Sequence, residues 1–203
     1  LLSKDGWRLI QFLIKQYGIQ AELIHAAGIC HQPEAKDWLL RVLKQHKEFN
    51  VETLEALGCW GGVISTKFLK KILSEPEQTK RIAGLELLKF KAYQLSDNEL
   101  LELTKELLND FRDPVVIATI KILQRRDSIE ICNHIMQVAE KGSNATAHTA
   151  LMALSGIGTK NSYEGLVKLS RELPIGKKRD LAQKQLEHQY RFKKGSPNKK
   201  FKK

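Results

Sequence analysis

Ala153-Leu154-Ser155-Gly156-Ile157-Gly158 ends an apolar helical stretch in small residues and glycine, and that ending recurs along the chain. It returns as Ala26-Ala27-Gly28-Ile29 and as Ala56-Leu57-Gly58-Cys59-Trp60-Gly61. Looser copies fall at Leu87-Leu88-Lys89-Phe90, at Ile122-Leu123 and at Gln185-Leu186. With the second residue of each as anchor, the positions are 27, 57, 88, 123, 154 and 186, at spacings of 30, 31, 35, 31 and 32 residues. Spacing this even marks an internal repeat.

Each anchor closes one helix, and a second amphipathic stretch follows after a short break. Trp38, Leu39, Val42 and Leu43 predict a helix over 34–46, and Phe68, Leu69, Ile72 and Leu73 another over 65–73. Leu100, Leu101, Leu103, Leu107 and Leu108 do the same over 98–108, behind a Ser96-Asp97-Asn98 capping region. Ile131, Cys132, Ile135, Met136 and Val138 mark 129–139, and Leu166, Leu169 and Leu173 mark 162–173. Pro33, Pro76, Pro114, Pro174 and several glycines punctuate the breaks. No β-branched alternation with hairpin turns interrupts this pattern, and aromatics at 7% are sparse for a β-sandwich. Two helices in about 31 residues cannot bury their apolar faces alone; stacking each pair on its neighbours gives one continuous core. The expected fold is all-α, a right-handed α-α superhelix (solenoid) of about six helix pairs over residues 1–189. A basic tail over 190–203, with too few apolar residues to fold, is expected to be disordered.

Ala150-Leu151-Met152-Ala153-Leu154-Ser155-Gly156-Ile157-Gly158 looks like the second half of a known signature, two alanines followed by Ala-Leu-Gly-x-Ile-Gly, with Ser155 in place of one Gly. Ala56 to Gly61 is similar, with Trp60 where Ile is usual, and Asp113-Pro114-Val115-Val116 looks like the Asp-Pro lead into a second helix. On these residues the chain resembles HEAT-like repeat proteins of the phycobilisome-lyase type, over most of 20–189. The Arg of that signature precedes the anchor by seven residues, which gives Gln20, Asn50, Arg81, Val116, Ala147 and Arg179; two of the six match. The resemblance implies a helix-pair solenoid. It also implies a scaffold, adaptor or chaperone-like role, of which association with bilin lyases is one form, and fold is implied more strongly than function.

Charge is unevenly spread. Arg191, Lys193, Lys194, Lys199, Lys200, Lys202 and Lys203 face no acidic residue from Tyr190 onward, and without them the net charge of +11 falls to +4 over residues 1–189. Such a tail suits nucleic acid, an acidic protein or an anionic surface. No apolar run approaches the roughly 20 residues of a membrane span, and Leu1 to Trp7 lack the basic start and apolar middle of a signal peptide. The chain begins without Met, which is compatible with processing or truncation upstream. Three scattered cysteines, Cys30, Cys59 and Cys132, fit no disulfide framework. Reduced thiols and a cytoplasmic location are the expectation.

Catalytic and metal patterns are weak. His25, Cys30, His31 and Cys59 lack the tight paired spacing of zinc ligands, so neither a metal nor another cofactor is expected. Cys132 and His134, two residues apart, fall on different faces of one helix, which opposes thiolate activation. No nucleophile elbow, metalloprotease helix or phosphate-cradling glycine loop appears. Gly28, Gly58, Gly61 and Gly62 read as helix ends. Trp7, Trp38 and Trp60 invite a groove for a base or a bilin. Trp38 and Trp60 read instead as core or inter-repeat filler, with Trp60 partly exposed beside Gly58.

Binding rather than catalysis is therefore expected. HEAT-type solenoids line their concave face with second helices, where His25, Glu52, Glu55, Arg81, Glu86, Lys121, Gln124, His148 and Arg179 are the expected solvent-facing residues. Their mixed charge suits a protein partner better than a uniform phosphate track. The alternative is nucleic-acid binding of the DNA-repair type through the basic C-terminal end. A glycosylase with a flipped-base pocket would need a more basic body than +4 supplies.

Overall fold

A computed structural model describes residues 4–60 and 64–195 of the chain. Among them every regular element is helical. Twelve α-helices run in order: α1 (Lys4–Tyr17), α2 (Ala21–Cys30), α3 (Pro33–Gln45), α4 (Asn50–Gly58), α5 (Thr66–Leu73), α6 (Gln78–Lys91), α7 (Asp97–Thr104), α8 (Asp113–Leu123), α9 (Ile129–Lys141), α10 (Asn144–Ile157), α11 (Lys160–Glu172) and α12 (Lys177–Gly195). Short 3-10 turns occupy Lys47–Phe49, Ala92–Gln94 and Leu107–Asn109. The all-α class expected from the repeat is what the chain adopts.

Local chemistry sets the boundaries. Ser65, Ser128 and Ser143 accept from the backbone N–H three residues on, at 3.2, 3.1 and 3.2 Å, and so start α5, α9 and α10. Thr159 and Ser162 close a reciprocal capping box on α11. Ser96 and Glu99 do the same before α7, where the Ser96 N–H donates to the Glu99 carboxylate at 2.8 Å. Pro33 and Pro114 stand in the first turns of α3 and α8, where a missing N–H costs nothing. Gly158 ends α10 at φ +71°, a left-handed conformation that a Cβ would strain.

The chain divides into two compact units, Leu1–Leu103 and Thr104–Lys203, with α7 crossing the division. In the first, α2, α4 and α6 stack in sequence, while α1 lies on α2, α3 on α2 and α4, and α5 on α6. In the second, α10 stacks between α8 and α12, with α9 and α11 laid against them and against each other. The anchors hold both stacks together: Ala27, Leu57, Leu88, Leu123 and Leu154 are all 0% exposed, as a common register requires. The sixth anchor, Leu186, is only half-buried. Among the described residues α12 packs chiefly on α10 and α11, which leaves it less enclosed than a middle helix. Ala182 and Gln189 are its sealed positions among the described side chains.

The 35-residue interval between the third and fourth anchors has a visible cause. The helix predicted over 98–108 stops at Thr104, a 3-10 turn follows at Leu107–Asn109, and Asp110 then closes on Arg112. The nearly buried Asp110 carboxylate accepts from the Arg112 backbone N–H at 2.9 Å, from Nε at 2.7 Å and from Nη2 at 2.8 Å. At the other end, α12 carries the backbone on through Gly195, past residue 190, so Arg191, Lys193 and Lys194 belong to a helix. Lys199, Lys200, Lys202 and Lys203 lie outside the described residues, as do Gly61 and Gly62 of the second anchor motif.

Candidate functional site

On a helix the residues two before and two after a buried position lie about 40° apart on the opposite side, one turn from each other. The anchors therefore define the exposed face of every second helix. In the first unit this face consists of three i,i+4 pairs: His25 with Ile29 on α2, Glu55 with Cys59 at the end of α4, and Glu86 with Phe90 on α6. Ile29 and Phe90 are 49% and 51% exposed, and Cys59 is also exposed. His25 Nε2 lies 3.9 Å from Glu55 Oε2 of the next repeat, and Lys89 pairs with Glu86 at 3.1 Å. The face combines carboxylates with open apolar side chains.

In the second unit the same register gives Lys121 on α8 with Arg125 in the turn just past its end, Met152 with Gly156 on α10, and Lys184 with His188 on α12, all exposed. No carboxylate occupies these six positions. Beside them, α10 and α12 enclose a groove of about 420 Å³ lined by His148, Lys177, Lys178, Lys184 and the single acid Asp180, among others. The two units thus carry faces of opposite character built from one repeat register.

Two of the expected partner residues, Arg81 and Arg179, bond to backbone carbonyls, as does Lys178 beside them. Arg81 Nε donates to the Glu75 carbonyl just past the end of α5, and Arg179 Nε donates to the Ser170 carbonyl in the last turn of α11 at 3.0 Å. Lys178 Nζ reaches the Glu140 and Gly142 carbonyls at the end of α9, at 3.1 and 2.6 Å. Lys178 and Arg179 thereby meet carbonyls at the C-terminal ends of α9 and α11, which lack intrahelical partners and where the helix dipole also favours positive charge, while Arg81 holds the loop just past α5. At the equivalent positions Val116 and Ala147 are buried against their neighbours instead. Glu52 is half-buried, with Oε2 shielded and without a hydrogen-bond partner, whereas Gln124 and His148 are exposed. Anchor spacing alone also brings Met152 and Lys184 to this exposed face, two residues absent from the expected partner surface.

Polar interlocks also join successive repeats of the second unit. Ser143 Oγ donates to Asp113 at 2.7 Å and Thr159 Oγ1 to Asp127 at 2.6 Å, each across about one repeat length. Gln189, buried in α12, sends its amide nitrogen to the Leu154 and Ser155 carbonyls at 3.0 and 3.1 Å and to Ser162 Oγ at 3.2 Å.

The thiols and tryptophans offer little chemistry. Cys132 is buried, and that burial, reinforced by the Asp127 charge, pushes its pKa up to about 11, so it stays a neutral thiol near pH 7. Cys30 is buried as well. Among the described residues no group of three or more His, Cys, Asp and Glu could hold a metal ion. Trp7 and Trp38 pack ring to ring at 5.8 Å. Trp60 is half-buried with the His31 ring at 5.2 Å, and its indole Nε1 is shielded without a hydrogen-bond partner. No described helix is long and apolar enough to cross a membrane.

Compared with models of known families the chain matches none, and no curated protein matches it significantly.

Proposed function

We propose that this is a non-catalytic binding module, a scaffold or adaptor of HEAT-like helix pairs, that grips a protein partner through the second-helix face of its first unit. The observation that carries the reading is the triple of i,i+4 pairs in which Glu55, Glu86 and His25 alternate with Ile29, Cys59 and Phe90. Protein interfaces combine an apolar centre with a polar rim, and carboxylates at their edge steer basic partners and repel phosphates. In HEAT-type solenoids this is the concave, partner-facing side. The resemblance to lyase-type repeats makes chaperone-like or lyase-associated partners the nearest analogy, and it is an analogy of fold.

The full chain, used as bait in a nuclease-treated native lysate, should retain a protein that a Glu55→Lys, Glu86→Lys double variant loses. Equal retention by both baits would remove this face from the account.

A second reading, nucleic-acid binding, has its own observation. The second unit carries 20 Lys and Arg against 10 Asp and Glu, while the first carries 14 against 13. Lys121, Arg125 and Lys184 are exposed there, and cations that contact phosphates release counterions.

A further inference from the structure

The first unit has another surface, on the side of its first helices. Between α3 and α5 a groove of about 670 Å³ opens, floored by Leu40, Leu43, Phe68 and Ile72, with Leu54 of α4 beneath. Its walls are two helical stripes of matching period. Leu40, Leu43, Lys44 and Lys47 line one side, running off the end of α3 into the following 3-10 turn, and Phe68, Lys71, Ile72 and Glu75 line the other, from α5 into the loop beyond. Both follow i, i+3, i+4, i+7, so the groove extends for about two helical turns.

Its charge is one-sided. Lys44, Lys47 and Lys71 are exposed and make no ion pair among the described residues, and Lys80 of α6 completes the rim while holding Glu77 at 3.2 Å. Glu75 is the single carboxylate in the lining. An apolar floor two turns long, rimmed by lysines of which three make no ion pair among the described residues, complements an apolar ridge flanked by carboxylates. We propose that this groove docks a short amphipathic helix of a protein partner, with apolar anchors at i, i+3 or i+4, and i+7, and acidic residues on both flanks. Helix-in-groove recognition uses this anchor spacing, and pockets of roughly 300–1,000 Å³ hold ligands of comparable bulk. The site is separate from the second-helix face and does not depend on it.

Fluorescence anisotropy with the full chain tests the proposal. The probe is a labelled synthetic helix of about three turns, with Leu at the anchor positions and Glu on the flanks. Its controls are the same composition scrambled and the same peptide with Lys for Glu. The acidic amphipathic peptide is expected to bind at least about tenfold more tightly than either control, and more weakly as salt rises. A Lys44→Glu, Lys71→Glu variant, with its helical circular dichroism unchanged, should lose about tenfold or more of that affinity and favour the lysine peptide. Glu55→Lys should leave it unchanged, so failure here is distinct from failure of the second-helix face. No binding of the acidic peptide at about 100 µM, equal binding of the scrambled one, or indifference to the charge reversal would overturn the proposal. So would reversal-sensitive binding to phosphatidylserine vesicles without binding to the peptide.

Discussion

Gly28 shows how one residue sets the distance between repeats. A Cβ built on it would lie 2.6 Å from the Ala56 carbonyl oxygen and 2.8 Å from the Ala56 Cα, both backbone atoms of the neighbouring helix. Neither can swing aside as a side-chain tip would, so α2 and α4 can sit this close only without a side chain here. Gly28→Ala should therefore destabilise the protein by about 2 kcal/mol, within the usual cost of overpacking, although alanine is the better helix former. Urea unfolding followed by circular dichroism would register that loss as a lower midpoint with an unchanged slope. Gly28, expected from the sequence to end a helix, is thus a packing device inside α2, which runs on to Cys30 and ends at His31 in a left-handed conformation. Gly156 makes the contrast, since a Cβ there would meet nothing within 4 Å.

Helices reveal where the sequence was readable. Periodicity placed 34–46, 65–73, 129–139 and 162–173, and the observed bounds of α3, α5, α9 and α11 differ from these by no more than about two residues, the ordinary slack of a helix end. Those stretches carry a strong apolar stripe and a Pro, Ser or Thr at the start. Over 98–108 the stripe continued through Leu107 and Leu108, but the backbone left the helix at Thr104, and apolar spacing cannot distinguish a 3-10 turn from one more α-helical turn. The roles of Arg81 and Arg179 were hidden for another reason. Their acceptors, the Glu75 and Ser170 carbonyls, are backbone atoms, which leave no mark in a residue pattern. The lysine-rimmed groove was equally invisible, because it depends on the gap between two helices from different repeats. Arg179→Ala should cost about 1–2 kcal/mol in chemical denaturation, the worth of one charge-assisted hydrogen bond at a helix end. It should leave partner capture unchanged, and a loss of capture with unchanged stability would return Arg179 to the binding surface.

Across the molecule one repeat register supports two electrostatic characters. The first unit is nearly neutral at 14 cations to 13 anions, whereas the second holds 20 to 10. Much of that surplus lies on α12 and in the residues after it. If nucleic acid is the ligand, two groups of cations can supply phosphate contacts: Lys121, Arg125 and Lys184 on the second-helix face, and Lys199, Lys200, Lys202 and Lys203 at the end of the chain. Each neutralised phosphate on duplex DNA contributes about −0.9 to the slope of log K against log salt, so the slopes of variants count the contacts. Removing residues 196–203 should flatten the slope by up to about 3.6 if all four lysines engage, with thermal unfolding little altered, because no described core contact requires them. Lys121→Ala with Lys184→Ala should flatten it by up to about 1.8 if the helical face engages. A change only on truncation would make the chain end an electrostatic arm beside a protein-binding body. A change only in the helical variant would move nucleic acid onto the second-helix face of the second unit. If the full chain shows no binding to duplex DNA or single-stranded RNA at low salt, the nucleic-acid reading fails, and the basic residues are left to acidic protein surfaces.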